Sequence, residues 1–474
     1  MPDVPTYVEL VAVVQELRVE VATLRAENAE LKARLGQNPR NSSRPPSTEG
    51  LAKPAPKSLR RRGGRKPGGQ AGHPGSTLSQ VSTPDEVIVH EPPACHGCGA
   101  GLSGAREVGS VRRQVFDIPP VSVRVTEHQM VCRECACGLR TRAAAPAGVD
   151  AAVQYGPRIA AIVVYLYVGQ LLSKKRTAQA LAELFGTPLS GGTVAVMTGR
   201  AADGLTGFLE LVADRIAAAP VAHFDETGLR VDGRLRWVHS ASTGKYSLIT
   251  CHDKRGTLAM DAAGVLPRFA GVAVHDAWAP YDTYAGIRHA LCNAHVLREL
   301  QAVADTAAAD DAQDRQRSWC WAIQAADALR EMKDLVDTAL SADNTLSGID
   351  QGKLAEQMHR YRSAAVIGAT QNADRENKLM AKHHALARRL TNRQDDYLRF
   401  TVDPLVPFDN NAAEREIRMI KLRQKVSGCL RTLTGAEQFC AIRSYLATAA
   451  KHRIHFYDAL TQLAQGHPWT PITV

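Results

Sequence analysis

A chain of 474 residues is longer than one hydrophobic core usually organises, so several units are expected, one of them large enough for an enzyme. The formal net charge of +10 calls for a polyanionic partner. The best apolar run, Ile159 to Leu172, is short and broken by Gly169 and Gln170, which excludes a spanning helix; with no signal-like N-terminus, a cytoplasmic protein without a membrane partner is expected.

Residues 1–36 read as a leucine-zipper coiled coil. Leu10, Leu17, Leu24 and Leu31 fall at d, and Tyr7, Val14, Val21, Asn28 and Leu35 at a. In a parallel pair, Glu20 meets Arg25 and Glu27 meets Lys32, and Asn28 faces its own copy, so residues 7–35 predict a homodimer or higher oligomer in register. The plainer alternative is one amphipathic helix packed on the domain behind it.

Residues 37–78 are too rich in Pro, Gly, Ser and Arg to bury a core and read as a flexible basic linker. Between Glu49 and Asp85 there is no acidic residue, while Arg60, Arg61, Arg62, Arg65 and Lys66 crowd together as candidate DNA contacts. Residues 79–145 carry strand-like runs, Val87-Ile88-Val89 and Val121 to Val125, around Cys95-x2-Cys98 and Cys132-x2-Cys135. Four thiolates in two CxxC turns suit a closed structural Zn2+ site of the ribbon type, with Cys137 as an alternative to Cys135. The scattered Cys251, Cys320, Cys429 and Cys440 read as core residues.

Residues 146–218 have helical periodicity, and Arg176–Leu184, a turn at Phe185–Leu189 and Ser190–Arg200 have the lengths of a helix-turn-helix. Plain bundle packing is the competing reading. From residue 219 the pattern turns to strands: Val221–Asp225, Arg234–Ser242 after an Asp232-Gly233 turn, and Tyr246–Cys251. A helix over Thr257–Phe269 and a strand over Gly271–Asp276 follow. Three antiparallel strands, a helix and a strand returning beside the first is the order of an RNase H-like fold, which brings Asp225 and Asp276 together. The expected class is therefore multidomain α+β, with an RNase H-like core split into residues 219–295 and 401–474 by a helical insertion at 296–400.

Two neighbouring carboxylates repel unless a divalent cation joins them. Glu414 is the candidate third acid, followed on one helix face by Arg418, Lys421 and Lys425, with Arg415 beside it, as a basic stripe for phosphates. Asn411-x-x-Glu414 also reads as a capping box. Glu226 adjoins Asp225 but alternation turns it to the other sheet face, Asp282 starts a turn, and Glu416 lies around the helix from Glu414.

The runs HFDETGLRV, VHDAWAPY, HALCNAHVLREL and NNAAEREIRMIKLRQKVSGCLRT, in that order behind a zipper, a KPGGQAGHPG linker and a CxxC pair, resemble the insertion sequence 66 family of DDE transposases. The resemblance implies that Asp225, Asp276 and Glu414 are the catalytic triad holding two Mg2+ or Mn2+ ions, and that Cys292 and His295 form a Cys-x2-His supporting the site. It further implies binding of double-stranded element ends and target DNA by a bacterial, nucleoid-associated enzyme that hydrolyses phosphodiesters and transfers strands. An inactive DNA-binding regulator and a nuclease without strand transfer are the rival readings.

Overall fold

The computed structural model describes residues 6–38, 41–42, 78–119, 121–310, 320–375 and 377–472. The expected linker contacts Arg60, Arg61, Arg62, Arg65 and Lys66 lie outside the described residues.

The heptad segment forms one helix, α1 (Tyr7–Leu35), opened by a capping box in which Thr6 and Glu9 satisfy each other's backbone N–H groups. Its d-position leucines stay half exposed, Leu10 at 49% and Leu24 at 56%, which packing on the domain behind would have covered. The helix touches the rest of the chain through the Glu30–Lys378 ion pair.

In the cysteine-rich segment the strands are not where the β-branched runs lie. They are β1 (Cys132–Glu134) and β2 (Arg140–Arg142), an antiparallel pair, whereas Val87–Val89 and Val121–Val125 belong to neither. Val87, Val89 and Val125 are more than 70% exposed: β-propensity reflects packing on a half-buried surface, and this module offers none. None of its described residues is buried, as expected of a unit stabilised by a ligand rather than a core.

The helical region comprises α2 (Pro157–Val164), continued by a π-turn over Tyr165–Gly169, then α3 (Lys174–Phe185), α4 (Gly191–Asp203) and α5 (Thr206–Ala217). Ser173 and Ser190 cap α3 and α4, and Gly186, left-handed at φ 57°, ends α3, so the expected helix-turn-helix pair forms. Its buried side chains Leu181 and Val194 join the main core.

The core sheet has five strands in the order β5-β4-β3-β6-β7. These are β3 (Val221–Val231), β4 (Arg234–Ser242), β5 (Ser247–His252), β6 (Val272–His275) and β7 (Arg288–Leu291). The hairpin β3–β4 turns on Asp232 (φ 50°) and Gly233 (φ 72°), both left-handed as a two-residue hairpin requires. β6 runs parallel to β3, and β7 parallel to β6. Three antiparallel strands with β6 returning parallel beside the first is the expected order, and β7 is a further strand not expected from the sequence. The expected helix at Thr257–Phe269 is instead α6 (Thr257–Ala262) plus a short turn at Leu266–Arg268, because Gly264 at φ 72° breaks it.

The insertion is helical: α7 (Asn293–Asp310), α8 (Trp321–Asp343), α9 (Gln351–Gln371), α10 (Lys378–Asn392) and α11 (Gln394–Leu398). It packs a second core against Val272, Val274, Ala290 and Leu291 of β6 and β7. The chain then returns through α12 (Asn411–Ser427), α13 (Leu433–Lys451) and α14 (Phe456–Ala464), which share the first core with β3, β4, β5 and the helical region. Cys251 and Cys440 are buried as expected, but Cys320 is only partly so and Cys429 is exposed. Cys429 directly follows Gly428, which ends α12, so its side chain lies beyond the helix rather than on its packed face.

Candidate active site

The parallel register pairs Val221 with Val272 and His223 with Val274. Two residues beyond the last of these pairs stand Asp225, within β3, and Asp276, just past the end of β6. β6 stops at His275, and Ala277, left-handed at φ 70°, turns the chain out of the sheet while the Asp276 carboxylate accepts from Trp278 N at 3.0 Å. Among the described residues the Asp225 carboxylate accepts only its neighbour's N–H, from Glu226, at 2.9 Å. Burial holds the Asp225 carboxyl well above the usual range, and the negative charges of Glu226, Asp276 and Glu414 push it further. Among the described residues no counter-charge pairs with this carboxyl. Hard oxygen donors suit a divalent cation, and Asp225, Asp276 and Glu414 would supply them, although among the described residues their ligand atoms do not all lie within 4.8 Å of one another.

Glu414 arrives on the first turn of α12, far away in sequence, and one side chain accounts for its position. Asn410, fully buried, donates from Nδ2 to Phe224 O at 2.7 Å and pairs through Oδ1 with His223 Nδ1 at 2.9 Å. Because Nδ2 is the donor to the carbonyl, Oδ1 must accept, so His223 carries its proton on Nδ1. The Asn410 backbone N–H donates to Cys292 Sγ at 3.2 Å. Asn410 thus ties α12 to β3 on one side and to the start of α7 on the other. The expected capping box is absent: the N-cap is Asn410, without a side-chain cap bond, and Asn411 bonds to Asp409. Asn410 was missed because a buried asparagine beside a second asparagine looks like capping in sequence; its partners are nearly 190 positions away.

Cys292 lies between the end of β7 and the start of α7, and His295 in the first turn of α7. The ligand atoms of Cys292, His295 and Glu414 lie within 4.8 Å of one another. Burial pushes the Cys292 thiol up to about 12 and the His295 imidazole down to about 3. His295 is therefore neutral, and its 3.7 Å approach to Glu414 Oε1 is not an ion pair. Burial also raises the Glu414 carboxyl, against the lowering effect of Arg298, whose guanidinium is 3.6 Å away.

Glu226 does face the other side of β3. Its buried carboxylate takes Arg255 at 2.7 Å and the Tyr281 hydroxyl at 3.0 Å, and Arg255 is sandwiched by Trp237 and Trp278 at 4.8 and 4.0 Å. Asp282 pairs with Arg393, and Glu416 with Ser247 and Lys451, so neither competes for the site. Of the basic stripe, Arg415, Arg418 and Lys425 are exposed. Lys421 is half-buried, and its ammonium donates to Gly228 O at 2.6 Å.

The two cysteine knuckles are separate turns. Cys95 N donates to Ala100 O and Gly99 N to Cys95 O; in the second, Cys135 N donates to Leu139 O and Gly138 N to Cys135 O. Gly99 (φ 77°) and Gly138 (φ 84°) supply the left-handed residue each turn needs. Backbone N–H groups lower the Cys95 thiol, chiefly from Cys98, and the Cys135 thiol, chiefly from Cys137. Cys132 stands on β1 opposite Arg142. Among the described residues these five sulfurs form no group with ligand atoms within 4.8 Å.

Residues 152–438 match the family described as Transposase IS66 family, a stretch holding all three acids. The chain belongs to this family. Residues 92–138 match the zinc-finger binding domain of transposase IS66, and residues 2–79 a family of unknown function, DUF6444. A protein of Sinorhizobium fredii, "Uncharacterized protein y4hP", is 24% identical over 430 residues, covering 81% of this chain and 73% of that protein. Membership makes the chain a DDE transposase and implies DNA as its partner and a divalent metal in its core; the zinc-finger match implies zinc. Among the described residues of the transposase no helix is long and apolar enough to cross a membrane.

Proposed function

We propose that this transposase binds the ends of its insertion sequence, hydrolyses a phosphodiester at each, and joins the freed 3′ ends to target DNA, with Asp225, Asp276 and Glu414 as the catalytic acids. The observation that carries this reading is the adjacent emergence of Asp225 and Asp276 from paired parallel strands, with Glu414 secured to the same strand through Asn410. Asp225, the acid whose pKa burial and the other acids push up, would hold the metal together with Asp276 and Glu414. When bound, a pair of Mg2+ or Mn2+ ions supplies Lewis-acid stabilisation of the attacking and leaving oxygens. Exposed Arg415, next to Glu414, and Arg418, one turn further along α12, hold phosphates of the bound strand. In the hydrolytic step water gives its oxygen to phosphorus and the 3′ oxygen leaves as a hydroxyl. In the joining step that hydroxyl replaces a 3′ oxygen of the target, so one phosphodiester forms as another breaks and no external energy source is needed.

The test is to incubate the full chain with Mg2+, a labelled duplex carrying an element end, and target plasmid. Nicked 3′ ends and joined products are expected. Cleavage without joining would make the protein a nuclease, and end binding alone would make it a regulator.

The acids also set a pH dependence. A carboxyl raised in the folded state contributes stability that is complete below its unfolded pKa and lost as pH rises through the folded one. Asp225 and Glu414 are both raised, so the metal-free chain weakens towards neutral pH, and a bound cation opposes this. The rise in melting temperature caused by Mg2+ is expected to be larger at about pH 8 than at about pH 5. Thermal melts at the two pH values, with and without Mg2+, check it; an equal rise at both would contradict it.

The zinc site is assigned to Cys95, Cys98, Cys132 and either Cys135 or Cys137, with a fold-stabilising role. The exposed leucines of α1 are assigned to a parallel coiled coil with a second copy. Introducing Leu17→Asp with Leu24→Asp is expected to halve the mass measured by light scattering. A wild-type chain that is already monomeric would end the zipper assignment.

A further inference from the structure

Cys292, His295 and Glu414 form a cluster of which the magnesium reading uses Glu414 alone. His295 Nδ1 and Glu414 Oε1 are both buried with no hydrogen-bond partner, although they face each other at 3.7 Å. That spacing is too long for a hydrogen bond. It suits two ligands of one ion, since with metal to ligand distances of about 2.0–2.3 Å the ligand atoms of a tetrahedral site stand roughly 3.3–3.8 Å apart. The third donor, Cys292 Sγ, is within 4.8 Å of both.

We propose that Cys292, His295 and Glu414 bind a zinc-class transition-metal ion, distinct from the ribbon zinc and from the magnesium pair. One sulfur, one imidazole nitrogen and one carboxylate oxygen are the ligands of a borderline-soft cation, where magnesium takes oxygen alone. The backbone prepares the site. Asn293 N donates to Phe408 O at 3.1 Å, and Asn410 N to Cys292 Sγ, so α7 and α12 begin side by side. Both helices therefore direct their positive ends at the cluster, which favours the thiolate and carboxylate forms that bind metal. With three protein ligands the ion keeps an open position, and the side chains of His295 and Glu414, each 24% exposed, admit solvent there. The competing cation is Arg298, 3.6 Å from Glu414 Oε1. The role that follows is positional: the ion engages Oε1 and leaves the other oxygen of Glu414 for Asp225 and Asp276. This last step rests on the function proposed above, whereas the ion site does not.

The test counts metal in the full chain. In a variant whose ribbon sulfurs are removed together (Cys95→Ser, Cys98→Ser, Cys132→Ser, Cys135→Ser, Cys137→Ser), one zinc per chain is expected to remain. Cobalt in its place is expected to give thiolate-to-metal charge-transfer absorbance. Adding Cys292→Ser removes that absorbance, and adding His295→Ala removes most of the metal; melting curves establish that each variant is folded. Because loss of the ribbon can disturb the chain, the same substitutions are made in the intact background, where zinc content is expected to fall by one per chain. Unchanged zinc in the Cys292→Ser and His295→Ala chains, or no thiolate band without the ribbon, overturns the proposal. Asp225→Asn is expected to leave the zinc count unchanged while joining is lost, so the two proposals fail separately.

Discussion

Asp225→Asn and Asp276→Asn are each expected to lower the rate of strand joining by on the order of 10^3-fold or more, equivalent to about 4 kcal/mol of lost transition-state stabilisation. Asparagine keeps the volume and one oxygen, so packing survives while a hard anionic donor is lost. Affinity for an element end should hold or rise slightly, because DNA affinity comes from cationic groups and each substitution removes a negative charge. The contrast is Glu226→Gln. Glu226 is the next residue and more buried, but its carboxylate is already matched by Arg255 and the Tyr281 hydroxyl on the opposite face of β3. Its loss should lower stability, through an Arg255 left without its partner, and should leave the dependence of joining on Mg2+ concentration near that of the wild type. Joining assays over a magnesium series, with end binding measured in parallel, separate the cases. If the asparagine chains join ends at the wild-type rate, the catalytic assignment of β3 and β6 is wrong.

The second large effect is expected from Asn410→Leu. Leucine fills the same fully buried space but leaves Phe224 O and His223 Nδ1 without partners. Each unsatisfied buried group costs about 1–3 kcal/mol, so a loss of roughly 2–6 kcal/mol is expected, lowering the melting temperature by on the order of 10 °C. Burial lowers the pKa of His223, so the imidazole cannot relieve the loss by taking a second proton at neutral pH. Since the same side chain fixes α12 to β3, joining should fall even at temperatures where the variant is fully folded. Calorimetry and the joining assay on the same preparation check both. A wild-type melting temperature would remove Asn410 from its positioning role.

Local signals carried much of this protein. The heptad of α1, the Asp232-Gly233 hairpin and the Ser caps of α3 and α4 are each set by neighbours a few residues apart. They could be read because a period, a left-handed turn or a cap is a property of a short segment. The four-residue strand β7 could not, since it lies in a run, Arg288–Leu291, with no alternation of its own and becomes a strand only by pairing with β6. The valines of the cysteine-rich module failed in the opposite sense: strand-forming residues met no surface to pack on and stayed outside the hairpin. Lys421 fell on the stripe that helical geometry gives, yet a carbonyl of β3 occupies it.

The sequence by itself determined which acids were available, their order, and the kinds of element that carry them. Only the tertiary structure decided that Glu414 faces Cys292 and His295, and that Asn410 is what holds it there. The physical reason is that these contacts join segments more than a hundred residues apart across the whole helical insertion. The burial and unmet hydrogen bonding that give such contacts their strength do not exist until the chain has folded.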